Sequence, residues 1–300
     1  MATPVPAVDR AAAILAYLSQ RPQEPQSLSD TARATGIHKA TCAAILGAMM
    51  SQGLVARTPD KRYAPGPWLV TLAHAYAERF PGVELARREI YALAAKVRLS
   101  CSICVLDGDE MVIVDIAGNQ QPEHIATRVG KRFPLVPPLG TIFKVWESPE
   151  EIQDWMQRME AEFEIPLDKQ LEVISNIRSQ GYSLSGEQDF HVELSAALRR
   201  IEREDSDVRG LAVAMMLADK IRQMRAITDD DEATPDEPVN YIVAPIFGPY
   251  HNVIMCLNLF GEPDQIHRRD VPKLAEQLLE VTGRVTSAIG GSPPPATGLR

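Results

Sequence analysis

Apolar residues in the first 66 positions recur at the spacing of short helices. One helix is predicted over residues 8–18. A second begins after Ser27, which can cap it together with Asp30, and ends at Gly36, where a turn needs a backbone conformation that glycine adopts at little cost. A third begins near His38, and its apolar positions repeat every three or four residues, which predicts a helix-turn-helix with one buried face. These positions are Cys42, Ile45, Leu46 and Met49.

A short hairpin is predicted after these helices. Gly53 ends the third helix, residues 54–57 have strand character, and residues 58–62 form a turn before Tyr63. Together these elements make a winged helix-turn-helix, in which the third helix enters the major groove and the wing tip meets the phosphate backbone. The polar residues placed for these contacts are His38, Lys39, Thr41, Arg57, Lys61 and Arg62.

Charge is distributed unevenly along the chain. The whole protein carries a formal net charge of −9, which is unusual for a nucleic-acid binder. Residues 1–66, however, hold seven basic and four acidic residues, a net charge of +3 that leaves −12 for the rest. A basic head on an acidic body fits a small DNA-binding module joined to a larger domain. Because +3 is modest, two or more heads must act together.

Composition sets further bounds. A chain of 300 residues with 45% hydrophobic content can form two domains with sizeable cores. No signal peptide or membrane span is visible, and four cysteines favour a reduced, cytoplasmic protein without a membrane partner.

Cys101 and Cys104 have the spacing of a zinc or redox pair, but the pattern disfavours both. They lie within a predicted strand, where residues three apart point to opposite faces. No second pair completes a tetrahedral metal site, and no helix begins between the thiols as in thioredoxin-like chemistry. We therefore expect no metal site or cofactor. We expect Cys101 and Cys104 to be small buried residues, one of which could line a pocket.

From residue 67 the pattern predicts a linker helix and then an α+β domain with an antiparallel sheet. Predicted helices cover residues 68–80, 84–98, 150–159, 168–180 and 265–289, with a further helix starting near Thr141. Predicted strands cover residues 100–106, 111–116, 125–129, 182–184, 241–247 and 253–260. Residues 193–238 add charged and methionine-rich helices and an acidic loop, and residues 290–300 have the composition of a disordered tail.

The order of these segments resembles the IclR family of bacterial transcription regulators over nearly the full chain. The segments that carry the resemblance are VDRAAAILAYL, LSDTARATGIHKATCAAIL, KRYAPGPWLVTLA, FPLVPPLGTIF, IRSQGYSLSGE and APIFGPYHNVIMCLNLFGEP. The resemblance implies a winged helix-turn-helix over residues 1–66, a linker helix over 67–82, and a GAF-like effector domain over 83–289 with an insertion at 193–238. It also implies a homodimer or a dimer of dimers.

The family's effector pocket, carried over onto this sequence, implies a set of ligand-contacting residues to which strand alternation adds Cys256. This set is Leu139, Gly140, Ser185, Glu187, Tyr241, Cys256, Asn258 and Phe260. Asn258 and Phe260 stand where the family often has small hydroxyl residues, so we expect a larger, partly apolar ligand rather than a small anion. The third helix, which is the recognition helix of the motif, also differs from the family pattern. Ala40 and Ala44 stand where a Ser and an Arg are common in the family.

These features predict a ligand-responsive regulator, more specifically a repressor, of a catabolic operon. Its partners are double-stranded operator DNA and a small organic acid or related metabolite. The alternative is a small-molecule sensing or protein-interaction module whose head no longer binds DNA. An enzyme is disfavoured because the six histidines are dispersed and no nucleophile elbow or phosphate loop is present. The insertion at 193–238 could serve as a lid, an oligomer contact or a plain connection.

Overall fold

The computed structural model describes residues 5–19, 23–118, 129–135, 140–163, 167–186, 234–262 and 265–295. Two compact units are present, with the boundary between Pro81 and Gly82. The elements of the first unit are α1 (Pro6–Ser19), α2 (Leu28–Thr35), α3 (Lys39–Ser51), β1 (Val55–Arg57), β2 (Tyr63–Pro65) and α4 (Trp68–Arg79).

Short-range signals shape the helix-turn-helix as the sequence predicts. The Ser27 hydroxyl accepts a hydrogen bond from the backbone N–H of Asp30 at 3.1 Å, which caps α2. Gly36 ends this helix at φ 67°, in the left-handed region, and its N–H bonds back to the carbonyls of Ala32 and Arg33. The helices and the wing then enclose one apolar core, formed by Ile14, Leu18, Ala32, Ile37, Cys42, Leu46, Met49, Val55 and Tyr63.

A buried glutamine ties the wing to the helices, which the sequence did not indicate. Gln26 and Tyr63 exchange backbone hydrogen bonds of 2.8 Å in each direction, beside the antiparallel pair of β1 and β2. The Tyr17 hydroxyl donates to the Gln26 side chain at 2.9 Å. The wing is therefore held at its base from both sides, and its tip projects from a fixed support.

The second unit is a six-stranded antiparallel sheet with helices on both faces, in the strand order β5-β4-β3-β8-β7-β6. Its strands are β3 (Ser100–Asp107), β4 (Glu110–Ala117), β5 (Arg132–Pro134), β6 (Ser183–Gly186), β7 (Val239–Phe247) and β8 (Val253–Phe260). Its helices are α5 (Pro81–Val97), α6 (Thr141–Lys144), α7 (Pro149–Phe163), α8 (Leu167–Gln180) and α9 (Val271–Ala288).

Each face of the sheet has its own apolar core. On one face, Ile90 of α5 and Leu278 of α9 pack against strand residues such as Cys101. On the other face, Phe143 of α6 and Trp155 of α7 pack in a core that includes strand residues. Side chains on neighbouring positions of a strand alternate between these two cores, as strand geometry requires.

The strand predicted over residues 125–129 lies outside the described residues except for Val129, which is in a turn. A short strand that was not predicted covers Arg132–Pro134. Two predicted helix boundaries were wrong. α5 begins at Pro81 rather than at residue 84, because a proline is tolerated in the first turn of a helix. The last helix begins at Val271 rather than at 265, since His267 and Pro238 pair as an isolated bridge.

The structure describes little of the insertion at 193–238 and about half of the tail at 290–300. Residues 187–233, which include most of the insertion, lie outside the described residues. The first residues of the tail lie against the second unit: the Gly291 N–H bonds to the Thr286 carbonyl at 2.8 Å, and the Ser292 hydroxyl lies 3.1 Å from the His251 ring nitrogen. Residues 296–300 lie outside the described residues.

Candidate DNA-binding and effector sites

The first candidate site begins at the N-terminus of α3. His38 is the residue before the first helical turn and Lys39 is the first helical residue; both side chains are exposed, and Thr41 is half-buried. The predicted inward positions are confirmed. Cys42 and Leu46 are fully buried and Met49 is almost fully buried. Ile45 is half-buried against the same core. The polar end of α3 is therefore free to face a DNA groove.

The middle of the outer face of α3 carries very small side chains. Ala40, Ala44, Gly47 and Ala48 are all exposed. This part of the helix offers only apolar contact to base edges, so hydrogen bonds at the N-terminal end of α3 must come from its first turn.

The wing tip presents one free and one engaged cation. Lys61 adopts a positive φ of 64° and makes no ion pair within the described residues. Arg62 lies 3.2 Å from the Asp60 carboxylate and donates to the Pro25 carbonyl at 3.3 Å. Thr58 closes the turn, because its N–H donates to the Arg62 carbonyl at 2.8 Å. Of the two predicted phosphate contacts, Lys61 is the more available.

Arg57 lies on β1 beside the wing. Its guanidinium carbon is 5.7 Å from the centre of the Tyr63 ring, within the range of a cation–π contact, and its side chain is exposed. The structure therefore brings Arg57 to the same hairpin as Lys61 and Arg62.

The second candidate site lies on the sheet face that is covered by α6, α7 and α8. Direct pairing aligns Tyr241 with Phe260, and strand alternation then places Asn258 and Cys256 on the same face. Cys256 and Phe260 are buried, while Tyr241 and Asn258 are half-buried. Four of the predicted effector residues thus share one surface.

Asn258 is held by a small polar network in this otherwise apolar face. Its side-chain nitrogen donates to the Ser102 hydroxyl at 3.1 Å and to the Cys104 sulfur at 3.2 Å. Ser102 is almost fully buried. Ser102 was missed as a site residue, and Cys104 was named only as one of two cysteines that could line a pocket. Alternation along β3 could have placed both on one face, but only the register with β8 brings them to Asn258.

The cysteine pair divides between the two faces, as predicted. Cys101 lies in the core beside α5 and α9, and burial raises the pKa of its thiol to about 12. Cys104 lies in the opposite core, directly across from Cys256. The pKa of Cys104 is lowered, first because Cys256 hydrogen-bonds to its sulfur, and burial raises the pKa of Cys256 well above its ordinary value.

Gly140 precedes α6 and has the left-handed φ of 79°. A Cβ atom at this position would overlap the Leu135 side chain and come within 3.1 Å of the Met111 sulfur. Met111 belongs to the same core as Cys256, so Gly140 lies at the margin of the candidate effector face. A side chain at this position would strain the backbone as well as crowd that core.

The remaining predicted effector residues are only partly visible. Leu139 and Glu187 lie outside the described residues, and for Ser185 the structure gives the backbone pairing with Tyr241 but not the side chain. Among the described residues, no cluster of three or more His, Cys, Asp or Glu is arranged to hold a metal ion. No helix in the part of the chain that the structure describes has the length and apolar character needed to span a membrane.

Comparison with known families identifies both units. The sequence model of the IclR helix-turn-helix domain matches residues 7–59, and that of the bacterial transcriptional regulator IclR C-terminal domain matches residues 74–218. Both are domains of transcriptional regulators rather than of enzymes. The curated proteins include no match.

Solved structures share the fold at low sequence identity. The IclR transcriptional regulator from Alicyclobacillus acidocaldarius is 19% identical, with a TM-score of 0.60 over 96% of this chain and 100% of the other. The IclR of Thermotoga maritima is 16% identical, with a TM-score of 0.59 over 95% and 99%. An IclR homolog from Microbacterium hydrocarbonoxydans, complexed with 4-hydroxybenzoate, is 15% identical, with a TM-score of 0.59 over 94% and 98%. The chain belongs to the IclR family of bacterial transcriptional regulators.

Proposed function

We propose that this regulator is a ligand-responsive repressor of a catabolic operon, which binds its operator as a homodimer and is released by a small, partly apolar organic acid. The observation that carries the proposal is the polar group of Asn258, Ser102 and Cys104 on an otherwise apolar sheet face. A few polar atoms within an apolar lining are typical of small-molecule sites, where they orient the ligand.

The chemistry of this face favours a ligand that carries a hydroxyl group. Because the side-chain nitrogen of Asn258 donates to Ser102 and Cys104, its side-chain oxygen is the atom that can accept a hydrogen bond from a ligand. Tyr241 and Phe260, paired across the strands, offer aromatic surface beside it. An aromatic hydroxy acid meets both requirements, and 4-hydroxybenzoate, with which the Microbacterium homolog was crystallised, is one such compound.

The proposed effector domain covers residues 83–289 and includes the insertion and the loop before α6. Leu139, Gly140, Ser185 and Glu187 are proposed to contact the ligand. This part of the proposal rests on the family resemblance, supported by the position of Gly140 beside Met111.

Dimer formation is proposed to involve α4. No residue of this helix is buried within the chain, yet Trp68, Leu72, Tyr76 and Phe80 recur every four residues and are all exposed. Residues at that spacing form one stripe along a helix. We propose that the stripe packs against α4 of a second copy. Two weakly basic heads would then bind the two half-sites of one operator. We propose a cytoplasmic location for the protein.

The test is a gel-shift assay with DNA fragments from upstream of the gene's own operon, at physiological salt. The proposal expects a specific complex with an imperfect palindrome, which is released when an effector is added. Effectors are found beforehand from thermal shifts of the full chain across a library of organic acids. If no fragment binds specifically, the alternative of a sensing module with a non-binding head is favoured; if ligand strengthens the complex, the protein is not a repressor released by its effector.

A further inference from the structure

Two cysteines face each other on neighbouring strands at the candidate effector face. Cys104 of β3 and Cys256 of β8 are directly opposed in the antiparallel register, and both belong to the core beneath α6 and α7. Directly opposed residues of an antiparallel pair lie on the same face with their Cβ atoms about 4.5–5.5 Å apart. Both thiols are free, and both are buried.

The surroundings of the Cys104 sulfur favour its thiolate. It accepts a hydrogen bond from Asn258 at 3.2 Å, and the pKa of Cys104 is lowered, first by the neighbouring Cys256 thiol and then by Asn258 and Ser102. Hydrogen bonds to the charged form of a thiol lower its pKa, and the thiolate is the nucleophilic form. Cys256 keeps the shared proton, because its burial raises its pKa.

Cys101 provides a comparison within the same strand. It is fully buried, three residues away, and faces the opposite core, where burial raises its pKa to about 12. Burial without such partners therefore raises the pKa of a thiol in this sheet. At Cys104 the surroundings differ, because its sulfur accepts a hydrogen bond from Asn258 and a second thiol, Cys256, lies directly opposite it.

We infer that Cys104 and Cys256 form a reversible thiol–disulfide pair whose oxidant is a small hydroperoxide. The Cys104 thiolate attacks one peroxide oxygen, the O–O bond breaks, and Cys104 becomes a sulfenic acid. The other oxygen leaves as alcohol or water after it takes up from solvent the proton that Cys104 released on ionisation. The Cys256 sulfur then attacks the Cys104 sulfur, hydroxide leaves and takes the Cys256 proton as water, and a disulfide forms. Two thiols are oxidised and one hydroperoxide is reduced.

The disulfide would change the face on which we place the effector. The Cβ atoms of a disulfide are about 3.5–4.5 Å apart, less than in most opposed strand pairs, so β3 and β8 must draw together locally. Oxidation also places the Cys104 sulfur, which accepts a hydrogen bond from Asn258, in a bond to Cys256. A thiol pair at this place therefore couples the redox state to the residue proposed to orient the ligand.

The experiment uses the reduced full chain, without DNA or ligand. The protein is titrated with hydrogen peroxide, quenched with iodoacetamide, digested without reductant and analysed by mass spectrometry. The inference expects an intramolecular link between the peptides of Cys104 and Cys256, reversed by dithiothreitol. Before oxidation, Cys104 should be alkylated at least about tenfold faster than Cys101 at neutral pH. Oxidation of Cys101 or Cys42 ahead of Cys104, or a link between two chains only, would overturn it.

Variants give a second readout. In Cys256→Ser the first step remains but no disulfide can form within the pair, so the sulfenic acid at Cys104 should accumulate and react with dimedone. Cys101→Ser is the matched control and should leave the link intact. If dimedone labels Cys256→Ser no more than Cys104→Ser, the inference is wrong. Since no DNA or effector enters these assays, their failure would leave the proposed repressor function untouched.

Discussion

Gly66 packs directly against the backbone of Gly53, so that the start of the linker helix is joined to the end of the recognition helix. A Cβ atom on Gly66 would overlap the Gly53 carbonyl oxygen. The Gly66 N–H donates to the Leu54 carbonyl at 2.8 Å, and the Trp68 N–H donates to the Gly53 carbonyl at 3.1 Å. These contacts hold the start of α4 against the segment that directly follows α3.

This contact predicts that Gly66→Ala destabilises the first unit. The added methyl group meets backbone atoms, which cannot rotate away as a side chain can, and overpacking of this kind costs about 1–3 kcal/mol. The measurement is hydrogen exchange of peptides from α1 to α4 in the full chain, which reports on this unit separately from the sheet domain.

Gly47→Ala is the matched control for that substitution. Gly47 lies inside α3, and nothing lies within 4 Å of a Cβ atom placed there. Alanine should stabilise the helix by about 0.5–1 kcal/mol relative to glycine. Equal exchange protection in the two variants would show that the Gly66 contact is not tight.

The head was predictable because its signals are local. Ser27 and Gly36 specify a helix start and a turn through atoms only a few residues away, and the structure confirms both. The opposite placement of Cys101 and Cys104 likewise followed from strand alternation alone. Caps and periodicity are properties of short segments, so they can be recognised without knowledge of the rest of the fold.

The effector face was predictable only in part, because it depends on pairing between distant strands. The hydrogen bond from Asn258 to Cys104 joins residues 154 positions apart, and no local pattern fixes the register that creates it. The start of α9 was missed for a related reason: Val239 donates to the Ile266 carbonyl at 2.9 Å, which holds the segment before the helix in an extended form.

Charge at the head should determine the salt dependence of operator binding. Lys39→Ala should weaken binding, and Arg62→Ala should also reduce the slope of log affinity against log salt by about one, as expected for one phosphate contact. Gel shifts at several salt concentrations provide the slopes. Lys273→Ala, an exposed lysine on α9, is the control for an equal change in net charge. If the double variant of Lys39 and Arg62 binds like the unmodified protein, these residues do not contact DNA.

The ion pair between Asp60 and Arg62 at the wing predicts a substitution that increases operator affinity. Asp60 lies 3.2 Å from Arg62 and competes with phosphate for its guanidinium group. Asp60→Asn should therefore tighten operator binding and increase the salt slope, because it releases a cation and removes an anion near the DNA. Unchanged affinity would indicate that the wing tip stays away from the backbone. The measurement is the same salt series.

Two glutamates at the start of α7 should respond to pH in opposite directions. Burial, followed by the nearby Glu151 charge, raises the pKa of Glu147, so its carboxylate lowers the stability of the fold once the pH exceeds its ordinary value of 4.5. Glu147→Gln should thus raise the free energy of unfolding at pH 7, and this gain should disappear below pH 4.5. Urea unfolding of the second unit across this range, followed by hydrogen exchange, provides the measurement.

Glu151 serves as the comparison. Its carboxylate accepts a hydrogen bond from the Ser148 N–H at 3.2 Å and the Ser148 hydroxyl at 3.1 Å, an arrangement that caps α7 and lowers the pKa of Glu151. Its contribution is present above the ordinary pKa and is lost as the pH falls through the lowered value. Glu151→Ala should therefore lower the free energy of unfolding at neutral pH, and this loss should disappear at low pH. If both variants change the free energy of unfolding at neutral pH in the same direction, the opposite pKa shifts of Glu147 and Glu151 are wrong.

Asn258→Leu should abolish the effector response while leaving operator binding in the absence of effector nearly intact. The side chains have similar volume, but leucine cannot accept a hydrogen bond from the ligand, and it leaves the buried Ser102 hydroxyl without this donor, at a cost of about 1 kcal/mol in stability. Leu257→Val is the control: Leu257 faces the opposite core, and its shortening costs a similar amount, about 1 kcal/mol.

The measurement for this pair is operator affinity with and without an effector found by thermal shift. Coupling between the two ligands is reciprocal, so operator DNA should change effector affinity in the unmodified protein by the factor with which effector changes DNA affinity, about 5- to 150-fold. That factor should fall to one in Asn258→Leu and persist in Leu257→Val. An Asn258→Leu protein with full sensitivity would place the ligand away from this face, and residues 211–224 of the insertion would become the next region to test.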